Sequence, residues 1–163
     1  MSGVAGFAGP LVLWLVPAIA LWAAAVDFLY MRIPNGVHLA LVVVFALLVV
    51  PGLPWTETAA RLAIAAAVFG IGLGLYARGL LGAGDVKYLA AAVLFMPPAW
   101  QAVLSWLMLV TIAGLPVLAL HRLVGLVAAG GRFPSFSEPG YFPYGPAISI
   151  GLVTMTFLAS GPG

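Results

Sequence analysis

Six apolar segments, separated by short turns that contain proline or glycine, make up nearly the whole of this chain. Most of them hold about 20 residues, which is the length that an α-helix needs to cross the hydrocarbon core of a membrane. With 64% hydrophobic and 6% charged residues and a mean hydropathy of +1.21, the 163-residue chain has too few polar side chains to cover a water-soluble core. The sequence therefore predicts an all-α, multi-pass membrane protein that forms a single membrane domain over residues 1–163.

The fourth apolar segment is shorter than the others, because it begins near Gly82 and stops at Pro97 and Pro98. A helix of about 15 residues is roughly 22 Å long, whereas the hydrocarbon core is about 30 Å thick. The start of this segment is therefore expected at membrane depth or in a local aqueous dip. The six predicted transmembrane helices cover approximately residues 11–30, 37–53, 58–77, 83–97, 99–121 and 143–161, and one sizeable aromatic loop covers residues 122–142.

The basic residues predict the orientation, because Lys and Arg are retained on the cytoplasmic side of a membrane. If the first two helices are joined in the cytoplasm, five of the six basic residues lie on that side and Arg61 alone lies near the opposite face. Both termini are then expected on the extracytoplasmic side. The five are Arg32, Arg78, Lys87, Arg122 and Arg132.

Composition also excludes several classes of function. A net charge of +2 from only six basic residues gives no indication of nucleic-acid binding. The absence of cysteine excludes disulfides, thiolate metal sites and thiol nucleophiles. The two histidines, His38 and His121, lie in different segments without partners at metal-ligand spacing, so no metal site is expected.

Two of the four acidic residues, Asp27 and Asp85, lie at the predicted cytoplasmic ends of membrane helices. A carboxylate there needs water or a partner, because a charged side chain at the bilayer centre costs roughly 2.5–3.5 kcal/mol. One interpretation is interfacial anchoring, in which Asp27 pairs with Arg32 and Asp85 with Arg78 or Lys87. The other is a catalytic pair, since two carboxyl groups held close together can share a proton and act as acid and base on one water.

Gly82 and Gly84 precede Asp85 in the run Gly-Ala-Gly-Asp. Each glycine in a helix costs about 1 kcal/mol relative to alanine, so the two glycines weaken the backbone at this point. They are explained either by close helix packing or a turn, or by an extended substrate strand that must approach the backbone beside a carboxylate. Hydrolysis by such a site needs no metal, cofactor or nucleophilic side chain.

Together these motifs resemble the type IV prepilin peptidases, which are intramembrane aspartic proteases of the GxGD class. The resemblance rests on residues 82–87 (GAGDVK), on Asp27 followed by residues 32–35 (RIPN), and on residues 143–147 (PYGPA) before the last helix. It implies that Asp27 and Asp85 are catalytic and that Gly82 and Gly84 form a substrate-approach motif. It also implies that the protein cuts the short basic leader from prepilin-like substrates at the cytoplasmic face of a bacterial cytoplasmic membrane.

The chain departs from the larger, bifunctional members of that family. Those members carry a cytoplasmic insertion with paired cysteines between the first two helices and also methylate the product. Here the link is about six residues and the chain has no cysteine. The sequence therefore resembles the short, cleavage-only form of tight-adherence (Flp) pilus systems.

Other interpretations remain open at this point. Lys87 and Arg32 either support the site or serve as positive-inside anchors. The whole protein could be a small proton- or ion-coupled carrier in which both acids are relay groups, because intramembrane acids also mark transport pathways. A third alternative is a non-catalytic subunit of a secretion machine. The sequence does not predict the oligomeric state, and it does not decide whether the aromatic loop lies on the membrane or covers the site.

Overall fold

The computed structural model describes residues 8–127, 136 and 142–160, and within these ranges the chain is helical with no strand. The expectation of an all-α protein with six helices is confirmed. The helices are α1 (Ala8–Tyr30), α2 (Asn35–Val44), α3 (Trp55–Tyr76), α4 (Ala83–Ala92), α5 (Trp100–Val127) and α6 (Tyr144–Ser160). A single π-helical turn, Phe45–Val49, and a 3₁₀ turn, Val50–Gly52, extend α2, and a 3₁₀ turn, Val93–Phe95, extends α4.

Four helical stretches of the described residues are long and apolar enough to cross a membrane. They are Gly9–Tyr30, Asn35–Gly52, Trp55–Tyr76 and Trp100–Val127, and Tyr144–Leu158 in α6 is a shorter apolar helix. The protein is therefore a multi-pass membrane protein. The sequence predicts six full membrane spans, but only these four helical stretches of the described residues have the required length. Helix α4 has only 10 residues and is about 15 Å long.

A continuous buried stripe runs along α1 and ends at an acid. Its residues recur every three or four positions, which is the period of one face of an α-helix. The stripe consists of Val12, Val16, Ala20, Ala23 and Asp27, each at most 5% exposed. Since the acid continues an apolar stripe, the α1 face that carries Asp27 is the face that packs against the rest of the bundle.

The helices pack in two main groups. α1 and α5 both pack against α6, α3 packs against α4, and α2 contacts both α1 and α4. Many large apolar side chains on the outer faces are exposed, among them Trp14, Leu21, Ile71 and Leu115. Such a surface suits lipid rather than water.

The short helix α4 is held at its carboxyl end by a buried arginine. Arg61 Nη1 donates a hydrogen bond of 3.0 Å to the Leu94 carbonyl oxygen, and Arg61 forms an ion pair of 2.7 Å with Glu57 one turn earlier on α3. The carbonyls at the end of a helix have no partner within the helix. Arg61 supplies a hydrogen-bond donor for such a carbonyl at the end of α4 opposite to Asp85.

One boundary differs from the prediction. Helix α5 continues to Val127, so the first six residues of the predicted loop 122–142 are helical. The apolar run 123–127 (LVGLV) allows this continuation, because a single glycine weakens a helix without ending it. Of the aromatic residues predicted in this loop, Phe133 and Tyr141 lie outside the described residues.

Candidate active site

Asp27 begins the last turn of α1 and is 5% exposed. Its Oδ2 accepts a 2.8 Å hydrogen bond from the backbone N–H of Gly145, in the first turn of α6. The first N–H groups of a helix lack partners within the helix and carry a partial positive charge. Asp27 therefore acts as a cap for α6 from a position 118 residues away, and the α6 amino end in turn fixes the orientation of the carboxylate.

Position 145 has no room for a side chain. A Cβ atom added to Gly145 would lie 2.7 Å from Asp27 Cβ and 2.8 Å from Asp27 Oδ2. Because Cβ of Asp27 is attached directly to the backbone, it cannot swing away from such a clash. Glycine at this position is thus what allows α6 to come within hydrogen-bonding distance of the acid.

Asp85 lies in the first turn of α4, half-buried, and its Oδ2 accepts a 3.1 Å hydrogen bond from the backbone N–H of Gly82. A Cβ atom on Gly82 would lie 2.7 Å from that same Oδ2 atom. A Cβ atom on Gly84 would lie 3.3 Å from Cβ of Ile33, in the turn before α2. The Ile33 contact leaves little room for a side chain at position 84, whereas the close contact at position 82 is with the movable end of the Asp85 side chain. The predicted role of both glycines in substrate approach stays a prediction.

The two acids line one cavity of about 550 Å³ at the same end of the bundle. All six residues that the sequence singled out for the site lie on its wall. The lining consists of Asp27, Met31, Arg32, Ile33, Pro34, Asn35, Gly82, Ala83, Gly84, Asp85 and Lys87. The tertiary fold therefore brings together the end of α1, the turn into α2 and the start of α4.

A left-handed residue makes the turn on this wall. Met31, directly after α1, has φ of 52°, a conformation that glycine adopts easily and other residues rarely do. Its N–H still bonds the Asp27 carbonyl oxygen at 2.8 Å, so the helix closes with an αL residue. The chain then reverses within four residues and places the start of α2 beside α4.

Lys87 contacts the turn and not the neighbouring acid. Its Nζ lies 3.1 Å from Asn35 Oδ1 and donates a hydrogen bond to it across the cavity wall. Asp27 and Asp85 each accept a hydrogen bond from a backbone N–H group. Among the described residues the structure shows one ion pair, between Glu57 and Arg61, at the other end of the bundle. The predicted anchoring pairs of Asp27 with Arg32 and of Asp85 with Arg78 or Lys87 are thus not formed in the described part of the chain.

Sequence reasoning missed several contacts of this site. In the sequence, Gly145 and Asn35 stand out only as members of the PYGPA and RIPN motifs. No local pattern marks Tyr88 and Ser149, whose hydroxyl groups lie 2.8 Å apart in the interior. The only available signal was the spacing of Tyr88 three residues after Asp85, which places the two on one helix face.

Phe136, from the predicted aromatic loop, packs beside the site. Its ring lies 5.8 Å from the ring of Phe28, the residue after Asp27, and 4.9 Å from that of His121 on α5.

The second histidine, His38, does not lie near His121; its ring is 6.3 Å from that of Tyr88. In the described ranges no three His, Cys, Asp or Glu residues are grouped as metal ligands.

Among known protein families, the type IV leader peptidase family matches residues 14–119, which is well over half of the 163 residues. The chain belongs to the type IV leader peptidase family. Membership gives this protease the general role of a prepilin leader peptidase, with prepilin-type proteins as substrates. The matched segment contains Asp27 and Asp85 and ends before α6. Neither a curated protein nor a solved structure matches the chain.

Proposed function

We propose that this leader peptidase is an intramembrane aspartic endopeptidase in which Asp27 and Asp85 activate one water molecule. The observation that supports this most directly is that the two acids, 58 residues apart in sequence, line one cavity together with the glycine motif and the turn after α1. A relay group of a carrier would instead be expected along a path across the membrane.

The chemistry follows from two carboxyl groups in different protonation states. The ionised group takes a proton from water, and the oxygen of that water attacks the carbonyl carbon of the scissile peptide bond. The protonated group gives its proton to the carbonyl oxygen, which produces a tetrahedral intermediate. The group that took the proton from water then gives it to the nitrogen as the C–N bond breaks. The other group regains its proton from a hydroxyl of the intermediate as the new carboxyl group forms, so both acids return to their starting states. The backbone N–H groups of Gly145 and Gly82 hold one oxygen of each acid during these steps.

The proposed reaction takes place at the cytoplasmic face of the bacterial inner membrane. Arg32, Arg78, Lys87 and Arg122 belong to the end of the bundle that carries the cavity, and Arg61 belongs to the other end. This distribution supports a cytoplasmic location of the cavity, with both termini outside. A leader on the cytoplasmic side of a substrate's membrane helix then enters the cavity directly.

Lys87 and Arg32 are proposed as supporting residues. Lys87 joins α4 to the first residue of α2 through Asn35 and so keeps the two walls of the cavity together. Arg32 is exposed on the same wall. The short link between α1 and α2 and the absence of cysteine support the cleavage-only form of the enzyme, as in tight-adherence pilus systems.

The test is leader cleavage by Asp27→Asn and Asp85→Asn, each assayed with a co-expressed prepilin. The amide keeps the shape and the backbone hydrogen bond but does not titrate, so each variant is expected to lose at least about 10³-fold in rate. Glu57→Gln is the matched control, because Glu57 is an acid at the other end of the bundle. Normal cleavage by either Asp variant would exclude the two-aspartate mechanism.

A further inference from the structure

A buried pair of hydroxyl groups lies about one helical turn deeper in the bundle than the acids. Tyr88 is fully buried on α4, and its hydroxyl oxygen is 2.8 Å from Ser149 Oγ on α6. Tyr88 follows Asp85 by three residues, so both project from the same face of α4. The hydroxyl contact therefore lies on the face of α4 that carries the acid.

Ser149 also contacts the two elements that hold the other acid. Its Oγ lies 2.8 Å from the Gly145 carbonyl oxygen, one turn back on α6, and 2.8 Å from the Ala20 carbonyl oxygen on α1. Gly145 is the residue whose N–H binds Asp27, and Ala20 precedes Asp27 by seven residues, or about two helical turns. One side chain thus joins α1, α4 and α6 directly beneath the cavity.

The direction of these hydrogen bonds follows from counting protons. A serine hydroxyl has one proton, and carbonyl oxygens only accept, so the Ser149 proton points to Ala20 or Gly145. Among the described residues Ser149 Oγ is also the one hydrogen-bond partner of the buried Tyr88 hydroxyl, so the arrangement that gives every proton an acceptor has Tyr88 donating to Ser149 Oγ. Loss of Ser149 would leave the Tyr88 hydroxyl buried without its acceptor, whereas loss of the Tyr88 hydroxyl leaves only a spare lone pair on Ser149.

This contact joins the two packed groups of helices. In one group α1 and α6 hold Asp27 between them, and in the other α4, packed on α3, carries Asp85. Apolar packing between the groups is non-directional and tolerates small displacements, but a hydrogen bond weakens steeply when its angle or length changes. The Tyr88 to Ser149 bond is thus suited to fix the register between the two acids.

We propose that Tyr88 is a positioning residue that, through Ser149, sets the separation of Asp27 and Asp85. The inference rests on the proposed two-aspartate mechanism. It differs from a role of Tyr88 as core filler, because a phenylalanine would fill the same space. A displacement of about 1 Å in a catalytic group can cost about 100-fold in rate, so the effect should appear in kcat.

The first experiment compares Tyr88→Phe with the wild-type enzyme in a detergent cleavage assay. We expect kcat to fall by about 10- to 100-fold while KM stays within about twofold, with an unchanged yield of folded protein. Ser149→Ala should lower kcat to the same degree and also lower thermal stability. In the double variant stability should recover toward that of Tyr88→Phe, because both polar partners are then absent.

The matched control is Thr156→Val. Thr156 is a buried residue of α6 whose hydroxyl donates to the Leu152 carbonyl oxygen within the same helix at 2.7 Å. The substitution removes a buried hydroxyl of the same helix without touching a contact between helices. Its kcat is expected to stay within about twofold of wild type.

The second experiment measures the separation without an assay of activity. Since the chain has no cysteine, spin labels can be placed at Ala25→Cys on α1 and Ala83→Cys on α4, both exposed alanines. In Tyr88→Phe, double electron–electron resonance should show a broadened or shifted distance distribution. In Thr156→Val it should match the wild type.

Either of two results would overturn the inference: a Tyr88→Phe enzyme with wild-type kcat, or one with an unchanged distance distribution. If the Asp→Asn variants still cleave the leader, the two-aspartate mechanism is excluded, whatever the result for Tyr88→Phe. The spin-label distances would nevertheless report whether Tyr88 sets the register between the two helices. The two failures are therefore distinguishable.

Discussion

At the scale of single residues, the contact between Gly145 and Asp27 is the tightest constraint on the site. The acid accepts the Gly145 N–H at 2.8 Å, and the missing Cβ is what permits this distance. A carboxylate bonded to a helix amino end keeps one defined orientation. The glycines of the GAGD run are less tightly constrained, because a Cβ atom on Gly84 would lie 3.3 Å from Ile33 Cβ and one on Gly82 would meet only the movable Oδ2 atom of Asp85.

Gly145→Ala is therefore expected to lower cleavage by about 100-fold, because the added methyl group must displace the carboxylate or α6. The measurement is leader cleavage per mole of folded enzyme. Gly151→Ala is the control, because Gly151 is on the same helix as Gly145 but its added Cβ would lie 2.7 Å from a methyl group of Val110 on α5 and would not contact the acids. That variant should lose folded protein while the remaining fraction keeps its specific activity. Wild-type specific activity in Gly145→Ala would contradict the role assigned to this contact.

At the scale of elements, α4 is the exceptional helix. Even with its 3₁₀ extension it spans only residues 83–95, about 21 Å, so both ends lie within reach of the membrane interior. Its amino end is closed by the Asp85 bond to Gly82, and its carboxyl end by Arg61. These polar contacts satisfy backbone groups that lipid cannot satisfy.

Arg61→Met should thus destabilise the protein by about 1–3 kcal/mol, because it leaves the Leu94 carbonyl and the Glu57 carboxylate without their partner. Glu57→Gln keeps an acceptor for Arg61 and should cost less than about 1 kcal/mol. Both changes in stability can be measured by heating each variant in detergent at a series of temperatures and determining the fraction that stays folded. Equal stability of Arg61→Met and wild type would show that α4 does not depend on this cap.

At the scale of the whole molecule, the position of the cavity in the membrane decides which part of a substrate it can reach. Leu80, between α3 and α4, lies at the cavity end, and Thr56, at the start of α3, lies at the opposite end. Both are exposed, and the chain has no other thiol that would be labelled. Cysteine labelling can therefore determine the orientation directly.

We expect Thr56→Cys to react with a membrane-impermeant maleimide in intact bacterial spheroplasts and Leu80→Cys to react only after permeabilisation. The physical reason is the retention of Arg and Lys on the cytoplasmic side. The reverse labelling pattern would place the cavity outside and would be incompatible with cleavage at the cytoplasmic face. The label on each variant is quantified by gel shift.

The sequence by itself determined the helical class and the number of helices, and it predicted the two candidate acids, because apolar length and the scarcity of charge act locally along the chain. Only the tertiary structure decided how α4 is closed at both ends, which residue orients Asp27, and how α4 is joined to α1 and α6. Gly145 and Asp27 are 118 residues apart, and Tyr88 and Ser149 are 61 apart. Contacts at such separations depend on which faces of the helices meet. The helices of a membrane protein are apolar on all sides, so their sequences carry little periodicity from which the meeting faces could be predicted.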